Sequence, residues 1–169
     1  STARKVYDRD GLSVTAVSVN HDPIEPAVAY RFDYKGRSVT ISGDTVKDPR
    51  LVALARDTDI LVHEALNADM VSQIRDQLNA NGQARLAAIM NDILDYHTTP
   101  VEGAEVASEA GARMLVFSHF VPAVPSRLLY PAFLKGTDDA YDGPIIMGED
   151  GMAFELSASS ENIVRKRLD

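Results

Sequence analysis

Four histidines occur in the chain, His21, His63, His97 and His119. Three of them come directly after apolar, strand-like runs: VSVNH, DILVH and MLVFSH. The fourth, in DYHTTP, lies in a loop that opens a helix. Asp44, in TISGDT, ends a strand in the same way, because Thr40 and Ile41 close a β-rich stretch that Ser42 and Gly43 break. Strands that end at one edge of a sheet bring such side chains together although they are far apart in sequence. In α/β proteins that edge is where ligands and metals are held. Neutral imidazoles gathered around a carboxylate suit Zn²⁺ or a similar divalent ion. Each residue alone has a plainer role: an Asp after a strand caps a helix or closes a turn, and a lone strand-end His is usually hydrogen-bonded structure or surface. The placement of all four histidines at boundaries, with none on a helical face, favours the metal reading without naming a reaction.

The elements that would position these residues alternate in kind. LSVTAVSVNH, AVAYRFDY and RSVTIS read as strands rich in Val, Thr, Tyr and Ile. YKGR joins the last two as a hairpin turn, which makes them antiparallel. DPRLVALARDT reads as a short helix and DILVHEA as an apolar strand buried within a sheet. Residues 67 to 95 carry apolar positions at three- and four-residue steps, interrupted by NANG. In TPVEGAEVASEAGA, Thr99 suits an N-cap, Pro100 the first helical position and Gly111 the C-terminal stop. RMLVFSH is the next strand, and FVPAVPSRLLYPAF is Pro-rich and loop-like. GPIIMGEDGMAFEL reads as two short strands around a GEDG turn, and ENIVRKRLD as a solvated helical tail without assigned function. The order makes a layered sheet-and-helix protein of α/β (α+β) class, a single domain over residues 1–169.

Composition narrows the classes. With 45% apolar residues and no apolar run near the ~20 residues that span a bilayer, no membrane helix is expected. Cysteine is absent, so disulfides and thiolate metal sites are excluded. A net charge of −8 argues against a diffuse basic field for nucleic acid. The chain opens STARKVYDRDG, with no Met and no signal-peptide pattern, and reads as a processed or truncated beginning. The compartment, cytoplasmic or periplasmic, stays open.

The segments VNHDPIEPAVAYRF, GRSVTISGDT, DILVHEA, HTTPVEGAEVASEAGARMLVFSHF and GEDGMAFEL, in that order, resemble the C-terminal half of the metallo-β-lactamase superfamily, in its ribonuclease Z-like and arylsulfatase-like branch. The resemblance implies a mixed sheet covered by helices, one half of a four-layer αββα sandwich. It implies two divalent ions, zinc with manganese or iron as alternatives, and attack of metal-activated water on an ester, sulfate ester or phosphodiester. Residue by residue, His21, Asp44 and His119 match metal ligands, Asp44 bridging both ions. His97 matches the His that protonates the leaving group, Glu64 the acid that orients it, and His63 has at most a supporting role.

Two departures from the family pattern shape the expectation. The H-x-H-x-D-H run of the family's N-terminal half is absent, so about half a site remains, short of the three protein ligands of catalytic zinc. The chain therefore reads as the C-terminal piece of a longer hydrolase, inactive without its other half. Its uncovered sheet face would pair with the missing segment or with a second copy in a homodimer. At the last ligand the text is SHFVPAVP rather than the His-Ile-Ser-x-Arg-Tyr ending of tRNA-processing members. That replacement and the acidic charge favour a small-molecule ester substrate. A ribonuclease Z-type endonuclease acting on tRNA 3′ ends is the alternative within the class. A non-catalytic module that binds a partner is the alternative outside it, and a flavodoxin-like binding domain fits poorly, because SGDT makes a poor phosphate loop.

Overall fold

A computed structural model describes residues 2–168, so Ser1 and Asp169, the ends of the expected domain, lie outside the described residues. Seven strands form one sheet in sequential order. The first four, β1 (Arg4–Arg9), β2 (Leu12–Ser18), β3 (Val28–Tyr34) and β4 (Arg37–Ile41), make an antiparallel meander. The next three, β5 (Ile60–Leu66), β6 (Leu115–Val121) and β7 (Ile145–Met147), run parallel to β4 and to one another. Turn chemistry sets the meander. Lys35 and Gly36 both take positive φ, 49° and 76°, in the two-residue link from β3 to β4, as the hairpin reading requires. Asp10 and Gly11 do the same between β1 and β2 at 52° and 81°. That Asp-Gly pair was the sequence signal for the first strand, RKVYDR, which the pattern reading left unassigned.

Five α-helices accompany the sheet: α1 (Pro49–Leu54), α2 (Ala68–Ala80), α3 (Ala84–Asp92), α4 (Pro100–Ala110) and α5 (Tyr130–Phe133). The core lies where α1 and α4 pack on one sheet face. Thr40, Leu61 and Leu115, neighbours in register across β4, β5 and β6, are wholly buried there. The other face carries the row Ala16, Tyr30, Ile41, Val62, Val116 and Ile146, linked pairwise across the strands. Tyr30 and Ile41 on it are 40% exposed, whereas Val116 is buried. Among the described residues no helix is long and apolar enough to cross a membrane.

Two sequence expectations need correction. Residues 163–167 of the tail form a strand, β9 (Ile163–Arg167), antiparallel to β8 (Met152–Leu156), rather than a helix. The cause is long-range. Arg37 donates to the carbonyls of Ser157, Ser160 and Asn162, and Arg113 to that of Glu161, so distant guanidiniums fasten the turn that makes the hairpin. Both arginines are held by buried Asp59, which Arg37 grips through Nε and Nη2 at 3.0 and 2.8 Å and Arg113 meets at 2.9 Å. The two short strands expected around GEDG are both present and lie in different sheets: β7 closes the main sheet, whereas β8 belongs to the separate two-stranded one. Finally, His63 falls within β5 and His119 within β6, not beyond their ends.

Candidate active site

The Ser42–Thr45 turn leaves the sheet where β4 ends. Ser42 N–H donates to the Val62 carbonyl at 2.9 Å, carrying the β4–β5 contact one residue past the strand. Gly43 then turns with φ 63°, and a Cβ there would stand 2.7 Å from the Val28 carbonyl oxygen. Only glycine fits so close to β3 in that conformation. The turn delivers Asp44, half exposed, to a point 2.9 Å from His119 Nδ1.

His119 reaches that point through a bulge. His63 lies opposite Phe117, but Ala65 lies opposite Phe120, so β6 advances three residues where β5 advances two. Within the extra length His119 takes φ 46°, a left-handed conformation uncommon for a residue with a Cβ. Bulges beside active sites re-aim a side chain, and here the re-aimed group is an imidazole.

The remaining imidazoles approach from two loops. His21, in the loop after β2, donates through Nδ1 to the Tyr96 carbonyl at 2.7 Å. A carbonyl can only accept, so the proton is on Nδ1 and Nε2 keeps its lone pair. His21 and His97 meet edge to face with centroids 4.8 Å apart, and His97 and His119 stand 6.0 Å apart. His97 owes its place to helix α4. Thr99 caps it in a reciprocal box with Glu102, with Pro100 in the first turn, as read from the sequence. The tight seat of that helix is Gly103, where a Cβ would come 2.7 Å from Phe117 Cε1.

One carboxylate organises this loop. Glu64 is buried, and its Oε1 accepts from His97 Nδ1 at 2.9 Å and from the backbone N–H groups of Thr45 and Thr98, each at 3.1 Å. It thereby ties the SGDT turn, strand β5 and the start of α4 to one atom. Burial works against a charged His97 imidazole, but the hydrogen bond and charge of Glu64, with Asp44 behind them, outweigh it and raise the His97 pKa above its ordinary value. The second oxygen of Glu64, Oε2, is buried with no hydrogen-bond partner among the described residues.

The structure thus brings together His21, Asp44, Glu64, His97 and His119, and separates His63 from them. His63 is fully buried beneath α4 near Gly103, with Nδ1 2.7 Å from the Glu64 carbonyl. Burial lowers its pKa, which keeps the ring neutral. The backbone N–H groups of Thr45 and Thr98 and the carbonyl of Tyr96 are site groups that side-chain types could not reveal. The TTP stretch opening α4 was the nearest signal for one of them.

The donors suit a divalent ion in kind. His21 offers an imidazole whose Nδ1 is engaged by a carbonyl behind it, the usual second layer of a metal-binding His, and Asp44 and His119 add oxygen and nitrogen. In number they fall short: among the described residues no group of three or more His, Cys, Asp or Glu converges on one point.

With this fold and geometry in view, a family model described as "Beta-lactamase superfamily domain" matches residues 2–120. The chain belongs to that superfamily. Ribonuclease Z of Mycobacterium tuberculosis (strain ATCC 25618 / H37Rv) is 37% identical over 150 residues, covering 88% of this chain and 50% of the relative. Ribonuclease Z of Mycobacterium avium (strain 104) is 37% identical over 119 residues, 70% of this chain and 39% of the relative. The chain spans about half the length of the curated relatives it matches. Among solved structures, the metallo-β-lactamase fold protein YhfI from Bacillus subtilis superposes with a TM-score of 0.62 at 15% identity, over 95% of this chain and 52% of that one. Human tRNase Z, short form, gives 0.55 at 21% identity, over 88% and 44%. These likenesses establish the fold.

Proposed function

We propose that the chain carries the proton-donating side of a metal-dependent hydrolase that cleaves a phosphodiester or related ester with water. The Glu64–His97 pair, set beside His21 and the Asp44–His119 pair at one sheet edge, is the observation that carries this reading. His21, Asp44 and His119 would hold divalent ions, zinc foremost, with the rest of the coordination contributed from outside these residues. When bound, such ions lower the pKa of water and offset charge on the attacked ester. The chain's own part is acid catalysis. Glu64 fixes the His97 ring through Nδ1 and favours its protonated form, so Nε2 carries the proton for the departing oxygen. The hydrogen bonds from Thr45 and Thr98 hold Glu64 still while its partner changes charge.

Relatives named ribonuclease Z, 37% identical, favour an RNA phosphodiester as the bond cleaved. The SHFVPAVP text and the net charge of −8 favour a small ester or sulfate ester. The open sheet face supports packing against a second sheet, supplied by further chain or by a second copy, to complete the sandwich. The test is hydrolysis of precursor tRNA, bis(p-nitrophenyl) phosphate and an aryl sulfate by the chain joined to such a second sheet and supplied with zinc. Phosphodiester turnover that His97→Ala abolishes is expected. Turnover of the aryl sulfate alone would move the substrate to sulfate esters, and no metal-dependent turnover of any of the three would sink the hydrolase reading.

A further inference from the structure

The C-terminal strand β9, to which the site above assigns nothing, lines the wall of a separate cavity of about 550 Å³ beside β7. Arg165, Lys166 and Arg167 come to it from β9, and Arg127 from the turn before α5. Lys166 is paired with Glu155, and Glu149 lies among the three arginines. Glu149 accepts from both Arg127 Nε and Nη2 and from the Tyr130 hydroxyl at 3.1 Å, with Arg167 Nη1 at 3.5 Å. It therefore arranges cations without neutralising them. With Lys166 paired to Glu155, the cavity keeps an excess of two positive charges in a chain whose net charge is −8.

The other walls are apolar and aromatic: Ile145, Ile146, Met147 and Met152, with Tyr130 at the rim. Since β7 is the last strand of the sheet, its outer N–H and C=O groups have no strand partner within it. A lining that joins cations to apolar and aromatic side chains matches a planar base joined to a phosphate. Arginine takes phosphate through paired N–H donors, and an aromatic or apolar wall takes the face of a base.

The cavity also has a direction. A neighbouring cavity of about 600 Å³ is lined by His119 and shares Tyr130, Glu149 and Met152 with the first. A molecule lying across both would place one end beside the Asp44–His119 pair and the other among the arginines.

We infer that the cavity between β7 and β9 binds a nucleoside monophosphate unit, phosphate on Arg127, Arg165 and Arg167 and base against Met152 and Tyr130, as a recognition subsite for substrates of the site at His119. The unit is either a free nucleotide or the end of an RNA strand. Only the link to His119 rests on the hydrolase reading, because binding is measured without turnover.

The experiment is isothermal titration calorimetry of the chain with AMP, adenosine and inorganic phosphate at low salt. AMP is expected to saturate a single site and to weaken as salt rises, with adenosine and phosphate each at least about tenfold weaker. The exposed pair Arg165→Glu and Arg167→Glu should weaken AMP by about tenfold or more. Arg165→Ala, which leaves the Arg167–Glu149 contact in place, guards against misfolding and should weaken AMP severalfold with an unchanged circular dichroism spectrum. A short oligoadenylate binding more tightly than AMP assigns the site to an RNA end, and equal affinity assigns it to free nucleotide. Failure of AMP to saturate, or AMP affinity unmoved by the double substitution, overturns the inference. Neither result bears on bis(p-nitrophenyl) phosphate, which offers no second phosphate and reports on the hydrolytic site alone.

Discussion

Glu64 receives three donors on one oxygen, and that makes it the most exposed test of the site. In Glu64→Gln the side-chain oxygen still accepts from Thr45 and Thr98, but the charge that supports a protonated His97 is gone. Under the proposed function, this variant should keep its fold and lose about 10²–10⁴-fold in kcat, the usual weight of a positioned proton donor. An unchanged kcat on bis(p-nitrophenyl) phosphate would remove Glu64–His97 from the chemistry. His119 separates ligand from backbone. Asn accepts left-handed φ, so His119→Asn should hold stability within about 1 kcal/mol, whereas β-branched His119→Val should lose about 1–3 kcal/mol in urea denaturation. Asp44, His21 and His97 were legible as residues at element ends. The inward turn of His63 was not, because the same text, apolar run then His, describes both a strand-end residue and one buried in the strand. The bulge that re-aims His119 has no sequence mark either, since it is a property of two strands in register.

Helix α4 was readable almost letter by letter, because caps are local. Thr99, Pro100, Glu102 and Gly111 all do what their types do at helix ends, Gly111 at φ 66°. Gly103 could not be read, since its reason is the Phe117 ring of another element. Gly103→Val should cost about 1–3 kcal/mol by overpacking and should lift the helix start that carries His97, so the loss in kcat should exceed what the loss in folded protein explains. Thermal melts paired with kinetics on the folded fraction check this, and a kcat that tracks the folded fraction would show that α4 does not steer His97. Strand β9 marks the opposite limit: IVRKR has strand-forming residues at its start, but its hairpin depends on Arg37, more than a hundred positions earlier. The Lys-Arg composition suggested solvent and helix, and tertiary anchoring decided otherwise.

The whole molecule hangs its C-terminal hairpin on Asp59. Burial opposes the charged carboxylate, yet the bidentate Arg37, the Ser38 N–H and Arg113 more than offset it and hold the Asp59 pKa below the usual range. A carboxyl depressed by folding contributes stability that is present above its unfolded pKa of about 3.9 and fades as pH falls through the lower folded value. Asp59→Asn should therefore cost about 3–5 kcal/mol near pH 7 and progressively less below about pH 4. Urea midpoints across pH 2 to 7 measure it, and a cost that does not shrink in acid would mean that Asp59 acts by shape rather than by charge. A different consequence follows from α2 and α3. Glu64 and His97 stand 2.9 Å apart, yet the chain between them runs out through both helices and back. The pair is closed by strand β5 and helix α4, and the excursion ends in an exposed turn at Asn81 and Gly82. That turn is a socket for engineering: a reporter domain spliced in there would ride on the chain without entering the contact between Glu64 and His97.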